Sequence, residues 1–441
     1  MLAAPTTTTL ADRFATVRAA TEAFCEPLVT EDYVVQSMED VSPTKWHLAH
    51  TTWFWETFVL SPHAPDYALY NEAYPFLFNS YYVQAGERHC RAQRGYLSRP
   101  TVKEVYAYRS HVTEAMNAFL ADFDEARQPD LADVIEVGLH HEQQHQELMV
   151  TDLKHVFSVN PLRPVYRSRD ATPAEPVAPI QWVGFDAGLH EIGFQATGAS
   201  SRERFHFDNE GPRHRQFVEA FELADRLVTC GEYLAFMNDG GYERPELWLS
   251  LGWAARTAGK WTEPFYWERR AGEWQHFTMA GMRPVDPNEP ITHLSYFEAD
   301  AYARWAGARL PSEFEWEVAA QTVWSDASPT QGSWAETGRF HPSADVPAPG
   351  GDGAAASPGL RQMFGEGWQW THSQYSPYPG YRPLEGALGE YNGKFMANQF
   401  VLRGGSPATS STHIRPSYRN FFPPDATWQF TGLRLARSTA S

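Results

Sequence analysis

Two histidines four residues apart carry the strongest chemical signal in the sequence. His141 and His145 lie in a proline-free run, residues 130–157, that predicts a long helix. Residues at i and i+4 share one helical face a turn apart, so both imidazoles can reach one metal ion. Gln144 lies on the same face, whereas Glu142 is rotated by roughly 100°. The spacing therefore predicts a metal site on this helix.

A third ligand would complete a three-point site that leaves coordination positions open. A second predicted helix, residues 44–60, offers both His47 and His50. We prefer His50, because it follows the inward stripe set by Trp46 and Trp53 at i, i+4 and i+7. His47 lies one turn away and stays an alternative ligand.

The segment from His141 to His145 also satisfies H-E-x-x-H, the zinc-protease pattern, in which Glu142 would act as the general base. The longer version of that pattern requires glycine at 148 and histidine at 151, where this chain has Leu148 and Thr151. That subclass is excluded. A zinc protease with a distant glutamate ligand stays open at this point.

Charge and cysteine content exclude several classes of function. The formal net charge of −18 argues against nucleic acid or an anionic membrane as the main partner. The three cysteines, Cys25, Cys90 and Cys230, form no C-x-x-C, so neither a disulfide scaffold nor a thiolate zinc site is expected. With no signal peptide and no long apolar span in the sequence, we expect a cytoplasmic protein. Assembly into a homo-oligomer stays open.

The elements that must position these residues divide the chain in two. Residues 8–158 predict a bundle of four long helices, whose core is a usual place for a metal site. Residues 159–179 are rich in proline and predict a linker. Residues 180–438 change to short segments with many glycines and prolines, which predict a hairpin over 183–194 and short helices at 229–238, 296–306 and 313–320. The expected fold class is α+β.

Several segments then match a known family. Trp46-His-Leu-Ala-His-Thr-Thr-Trp-Phe54 and Leu139-His-His-Glu-Gln-Gln-His-Gln-Glu-Leu148 resemble the sulfoxide synthases of ergothioneine biosynthesis. Arg309-Leu-Pro-Ser-Glu-Phe-Glu-Trp-Glu317 resembles a signature of formylglycine-generating enzymes, and segments 365–370, 403–406 and 432–434 match further landmarks in order. The resemblance implies a DinB-like four-helix bundle followed by a formylglycine-generating-enzyme-like domain with a C-type-lectin-like core.

The resemblance also implies an iron(II) enzyme that uses O2 to join the sulfur of a thiol to C2 of the imidazole of hercynine, which is trimethylhistidine. The iron ligands of the family fall on His50, His141 and His145. Gln144 is expected close to bound hercynine. Tyr81 and Tyr82 resemble a tyrosine pair that one branch uses to deliver a proton and favour C–S coupling over oxidation of the thiol to a sulfinic acid.

Substrate contacts are implied for five further residues. Asn420 and Phe421 match family residues that line the hercynine site. Phe422 stands where enzymes that use γ-glutamylcysteine carry an acidic residue, so we favour free cysteine as the thiol donor. Arg88 and Arg91 are expected to bind the cysteine carboxylate.

Alternatives from other classes remain. One alternative is the same reaction with γ-glutamylcysteine as the thiol donor. Another is a selenoneine-type synthase, which shares both predicted domains, and a third is coupling to histidine of the ovothiol type. A formylglycine-generating enzyme would need a cysteine pair, but Cys230 is the single cysteine after residue 90. A non-enzymatic lectin-like binding module predicts no tight iron site.

Overall fold

The computed structural model describes residues 9–169, 174–324, 332–344 and 359–439. They divide into two compact units. The first contains the described residues up to Val159 together with Gln195–Phe207 and Pro383–Tyr391, two segments that come from the later half of the sequence. The second contains the other described residues, from Asn160 onward. Part of the proline-rich stretch, residues 170–173, lies outside the described residues.

Helices build the first unit, and the four long ones that the sequence predicts are confirmed. The α-helices are α1 (Leu10–Ala23), α2 (Thr44–Trp55), α3 (Ser61–His63), α4 (Tyr74–Phe78), α5 (Val102–Ala121), α6 (Pro129–Val159) and α7 (Ser201–Arg204). A π-helical turn, Glu56–Leu60, continues α2. The 3-10 turns are Thr30–Val34, Val83–Ala85, Arg91–Tyr96 and Gly386–Glu390.

Close packing of α2 against α6 forms the centre of this unit. Every residue of α2 is buried. A Cβ on Gly138 of α6 would lie 2.6 Å from the Trp55 ring and 2.8 Å from the Phe54 ring, so only glycine allows this approach. Phe14 of α1 closes the layer, edge-on to Trp55 at 5.0 Å between ring centroids. The Trp55 ring is therefore enclosed between Gly138 of α6 and Phe14 of α1.

Short strands and helices build the second unit. Its helices are α8 (Cys230–Asn238), α9 (Ser250–Gly259), α10 (Tyr296–Trp305) and α11 (Glu313–Val323), with 3-10 turns at Asp208–Glu210, Pro245–Leu247, Ala335–Thr337 and Gly393–Phe395. Its strands are β1 (Trp182–Phe185), β2 (Gly188–Ile192), β3 (His214–Val218), β4 (Phe221–Ala224), β5 (Trp267–Arg270), β6 (Glu273–Thr278), β7 (Gly281–Pro284), β8 (Trp368–Gln374), β9 (Phe400–Arg403), β10 (Asn420–Phe422), β11 (Thr431–Gly432) and β12 (Ala436–Ser438).

Four small sheets organise these strands, in the orders β1-β4-β12, β10-β9-β8-β11, β2-β3 and β5-β6-β7. The predicted short helices are confirmed as α8, α10 and α11. The Arg309–Glu317 signature explains the start of α11: Ser312 and Glu315 form a capping box. Glu313 and Glu317 are buried against Arg403, so this motif stabilises the fold of the unit.

The predicted hairpin over 183–194 is wrong. β1 pairs with β4 and β2 pairs with β3, both antiparallel and in the same register, from Trp182↔Ala224 to Phe185↔Phe221 and from Gly188↔Val218 to Ile192↔His214. Residues 182–192 are thus one extended, briefly interrupted segment. The physical reason is that Asp186-Ala187 lacks the left-handed backbone positions that a two-residue hairpin turn needs, and neither residue has a positive φ.

Hydropathy along the helices bears on membrane insertion. Among the described residues, no helix combines the length and the apolar character needed to cross a bilayer.

Candidate metal centre

Three buried histidines converge in the core of the first unit. His50 comes from α2, and His141 and His145 come from α6. One ring nitrogen from each lies within 4.8 Å of the others. The Nε2 atoms of His50 and His141 are 3.1 Å apart. Two nitrogens bound at right angles to one metal, at bond lengths of about 2.1 Å, would lie about 3 Å apart, so this spacing fits a shared ion.

The ring of His50 is fixed in position and in tautomer. Its Nδ1–H donates to the carbonyl oxygen of Phe78 at 2.5 Å, which leaves the Nε2 lone pair for a metal. Trp46 and Trp53, from the helical turns before and after His50, both stack on its ring. Their ring centroids lie 4.6 Å and 5.3 Å from that of His50, and the ring planes are within 16° of parallel. The guanidinium of Arg94 covers Trp46, 3.3 Å from the ring centroid. The predicted stripe on α2 is therefore a stack that holds one imidazole.

His47, the alternative ligand, has a different position. Its Nδ1 lies 2.8 Å from Nδ1 of His145, and its Nε2 lies 3.0 Å from a carboxylate oxygen of Asp152. If His145 bound a metal through Nε2, its Nδ1–H would donate to Nδ1 of His47, and the Nε2–H of His47 would donate to Asp152. The backbone N–H of Ser42 also donates to Asp152 at 2.8 Å. His47 thus contacts His145 and Asp152 and does not belong to the group of three converging nitrogens.

Burial keeps the three imidazoles neutral. It lowers the pKa of His141 to about 3. It lowers the pKa of His50 and His145 well below the ordinary value, and the neighbouring imidazoles lower both further. Neutral rings present the lone pairs that a metal requires, so the residues present fit a divalent ion such as iron(II). Nδ1 of His141 is buried and has no hydrogen-bond partner among the described residues.

Glu142 is not available as a protease base. Its carboxylate is fully buried and accepts hydrogen bonds from Arg109 at 2.7 Å, Arg18 at 3.1 Å, Trp55 at 2.9 Å and Thr21 at 2.7 Å. Burial alone would raise its pKa, but the two guanidinium groups outweigh burial and lower it. A carboxylate whose oxygens already accept four hydrogen bonds cannot activate a water molecule, which argues against the zinc-protease hypothesis.

Three tyrosines, Tyr81, Tyr82 and Tyr391, form a cluster that contacts His141 through Tyr391 and Trp53 through Tyr82. Tyr82 is fully buried, with its ring 4.6 Å from Tyr81 and 5.5 Å from Trp53. Its hydroxyl makes no hydrogen bond of ordinary geometry within the described part of the chain. Tyr391, which the sequence analysis missed, lies 5.9 Å from the His141 ring and 6.5 Å from Tyr82. It is some 250 positions from α6, and no local pattern distinguishes it from other tyrosines.

The other predicted residues of the first unit lie around this core. Gln144 is half-buried on α6. Arg88 and Arg91 are exposed, and their guanidinium groups donate to the backbone carbonyls of Ser80 and Asp40. Arg94, three residues after Arg91, is buried and donates to the hydroxyls of Ser42 and Ser80. Arg94 is not among the residues predicted for the site.

The remaining predicted residues belong to the second unit. Asn420, Phe421 and Phe422 form β10, which pairs with β9. All three are half-buried. Phe421 stacks on Tyr375 at 4.1 Å, and Phe422 lies edge-on to Trp428 at 6.0 Å.

Comparison with known proteins agrees with this architecture. Residues 13–149 match the DinB superfamily, and residues 168–439 match the sulfatase-modifying factor enzyme 1-like domain. The second match covers more than half of the chain. The helical unit with the three histidines thus belongs to the first of these families, and the mixed unit to the second.

Relatives that share both parts are hercynine oxygenases. The enzyme of Mycolicibacterium thermoresistibile is 33% identical over 90% of this chain and 87% of its own length. The hercynine oxygenase of Mycobacterium tuberculosis is 32% identical over 90% of this chain and 91% of its length. The formylglycine-generating enzyme of Streptomyces coelicolor is 29% identical but covers 55% of this chain. The chain therefore belongs to the hercynine oxygenase family of oxidoreductases, with a DinB-like helical part and a formylglycine-generating-enzyme-like part.

Proposed function

We propose that the chain is an iron(II)- and O2-dependent sulfoxide synthase of ergothioneine biosynthesis that joins cysteine to C2 of the hercynine imidazole. The observation that carries the proposal is the buried group of three neutral histidines in a chain that is similar to hercynine oxygenases over 90% of its length. Bound iron(II) would supply open coordination positions and electrons for chemistry with O2. In this reaction a C–S and an S–O bond form, the C2–H and S–H bonds break, and the second oxygen atom leaves as water.

The protein's own contribution begins with orientation. Phe78 fixes the tautomer of His50, and the His47–Asp152 pair fixes that of His145, so two lone pairs are aimed before any ion arrives. Imidazoles held this way need little reorganisation when the ion binds. The aromatic wall of Trp46, Trp53 and Phe54 excludes water around the rings. We assign His50, His141 and His145 as the iron ligands and Gln144 as a contact of hercynine.

Tyr82 is proposed to hold the proton that favours coupling. Burial, followed by the neighbouring phenols of Tyr81 and Tyr391, raises the pKa of its hydroxyl well above the ordinary value, so Oη stays protonated at neutral pH. A protonated phenol without an ordinary hydrogen bond among the described residues can donate to a reacting group.

Replacing Tyr82 with phenylalanine is expected to shift the product from the sulfoxide toward cysteine sulfinic acid, by at least about tenfold in their ratio. Both products consume one O2, so oxygen uptake should fall far less than sulfoxide yield. Mass spectrometry of both products, with an oxygen electrode, measures the two quantities. Tyr74→Phe serves as the control, since Tyr74 is a buried tyrosine that packs against Phe78 and Tyr108. Unchanged ratios in Tyr82→Phe, Tyr81→Phe and the double variant would contradict this role.

Cysteine is proposed as the donor because Phe422 carries no charge that could pair with the amine of γ-glutamylcysteine. Phe422 lies against the ring of Trp428, an apolar surrounding. Arg88 and Arg91 are the cations proposed for the cysteine carboxylate, and Asn420 and Phe421 are proposed to contact the trimethylammonium group of hercynine.

One assay tests the reaction and the donor together. The protein is loaded with iron(II) without oxygen and then mixed with O2, hercynine and either thiol. We expect hercynylcysteine sulfoxide, with kcat/KM for cysteine about tenfold or more above that for γ-glutamylcysteine. A preference for γ-glutamylcysteine would refute the donor and leave the coupling intact. No sulfoxide from either thiol, in a protein shown to hold iron, would refute the proposed function.

A further inference from the structure

We propose that the second unit contains another metal site, formed by His276, Glu289 and His341, that binds a zinc-class divalent ion independently of the three-histidine centre. One ring nitrogen from each histidine and one carboxylate oxygen lie within 4.8 Å of one another. All three residues are buried, with exposed fractions of 7%, 1% and 6%. Two imidazoles and one carboxylate are a donor set that zinc prefers, with a fourth position left for water.

Three separate parts of the chain converge on this group. His276 lies on β6, where it pairs with Trp267 of β5 and Arg283 of β7. Glu289 follows β7 in an irregular segment, and its carbonyl accepts the N–H of Cys230 at the start of α8. His341 lies in the loop after the 3-10 turn Ala335–Thr337. An ion here would join a sheet, the segment that follows it and a loop from a later part of the chain.

The contacts of Glu289 prepare one of its oxygens for an ion. Arg283 donates to Oε1 at 2.8 Å, and Nε2 of His341 lies 2.8 Å from Oε2. Oε1 is thus anchored by a cation, while Oε2 faces His341. Ligating carboxylates are normally held by such a second hydrogen bond. The His276 and His341 rings are 5.3 Å apart and nearly perpendicular, so they approach from different directions.

The charges around Glu289 also bear on cation binding. Two arginines near one glutamate disfavour an added cation, and this opposes binding. Arg283 and the more distant Arg339, at 3.9 Å, both approach Oε1, whereas His341 approaches Oε2, so the two cations and this imidazole contact different oxygens of the carboxylate. On binding, the proton on Nε2 of His341 moves to its other ring nitrogen or to solvent.

Metal binding to the tag-free, metal-stripped full chain tests the proposal. Co²⁺, a spectroscopic substitute for Zn²⁺, is expected to bind tightly at two sites per wild-type chain, and at one in His141→Ala/His145→Ala. In that double variant, adding His341→Asn or Glu289→Gln should weaken Zn²⁺ binding by at least about 100-fold and remove the cobalt absorption bands. His413→Asn is the matched control, because His413 is buried in the same unit and contacts Tyr418.

Melting curves show whether a variant loses metal binding because it no longer folds. Zn²⁺ should raise the melting temperature of the double variant, and this rise should vanish with His341→Asn while the metal-free melting temperature stays close to its parent. Zinc binding that is unchanged by both His341→Asn and Glu289→Gln would overturn the proposal. So would a double variant that binds no Co²⁺ at all, since that parent keeps the proposed site complete.

Discussion

Replacing His141 with alanine is expected to lower the iron(II) bound at saturation by one ion per chain and to reduce sulfoxide formation by more than about 100-fold. His141 is 1% exposed and its Nε2 lies 3.1 Å from Nε2 of His50, so alanine takes away one of the three converging nitrogens. Removal leaves two imidazoles, which hold a divalent ion far less tightly than three. Anaerobic iron titration with product analysis measures both effects, and circular dichroism checks the helical unit.

Variants of His50 and His47 distinguish which of the two is the third ligand. His50→Ala should also remove one iron. His47→Asn should keep the number bound at saturating iron but weaken the affinity about 10- to 100-fold, because the hydrogen bond to His145 and Asp152 is lost while the three ligands remain. If His47→Asn removes the ion and His50→Ala retains it, the assignment of the third ligand is reversed.

The difference between His47 and His50 shows which features of the site could be predicted from the sequence. Helical spacing alone placed His47 and His50 one turn apart on α2, and the stripe of Trp46 and Trp53 favoured His50. The structure explains that preference, since both tryptophans stack on His50. It also shows what spacing could not reveal: the partner of His47 is Asp152, 105 positions away, and only the packing of α2 on α6 brings them together. Long periodic helices are predictable, whereas their mutual register is not.

For the same reason, contacts between residues far apart in the sequence could not be predicted. Tyr391 lies beside His141, although its sequence neighbours are glycine-rich and polar and carry no periodic signal. Residues 195–207 likewise belong to the helical unit, where Phe205 stacks on His140 at 3.9 Å. The failed hairpin over 183–194 has a related cause. Two short strands close in sequence suggested pairing, but their partners lie beyond an excursion of about twenty residues, between Ile192 and His214.

The second large effect is expected at Glu142, where replacement with glutamine should lower the free energy of unfolding by about 3–5 kcal/mol. Its carboxylate is the shared anion of two buried guanidinium groups, Arg18 and Arg109, which are 3% and 1% exposed. Glutamine keeps the shape and can still accept from Trp55, but it removes the buried anion that Arg18 and Arg109 share and leaves Arg109 with the half-exposed Glu22. Urea unfolding of the metal-free protein, followed by circular dichroism, measures the change.

Glu22→Gln is the matched control, because Glu22 also pairs with Arg109, at 3.0 Å, yet its side chain is 51% exposed. Solvent screens this pair, so the control should lose less than about 1 kcal/mol. The pH dependence separates the two variants further. The folded pKa of Glu142 lies below its ordinary value of 4.5, so its contribution is complete above that pH and is lost as the pH falls below it. The gap between wild type and Glu142→Gln should therefore be constant near neutrality and shrink in acid. A loss below about 1 kcal/mol, or a gap that widens in acid, would show that Glu142 is not the charge that holds α1, α5 and α6 together.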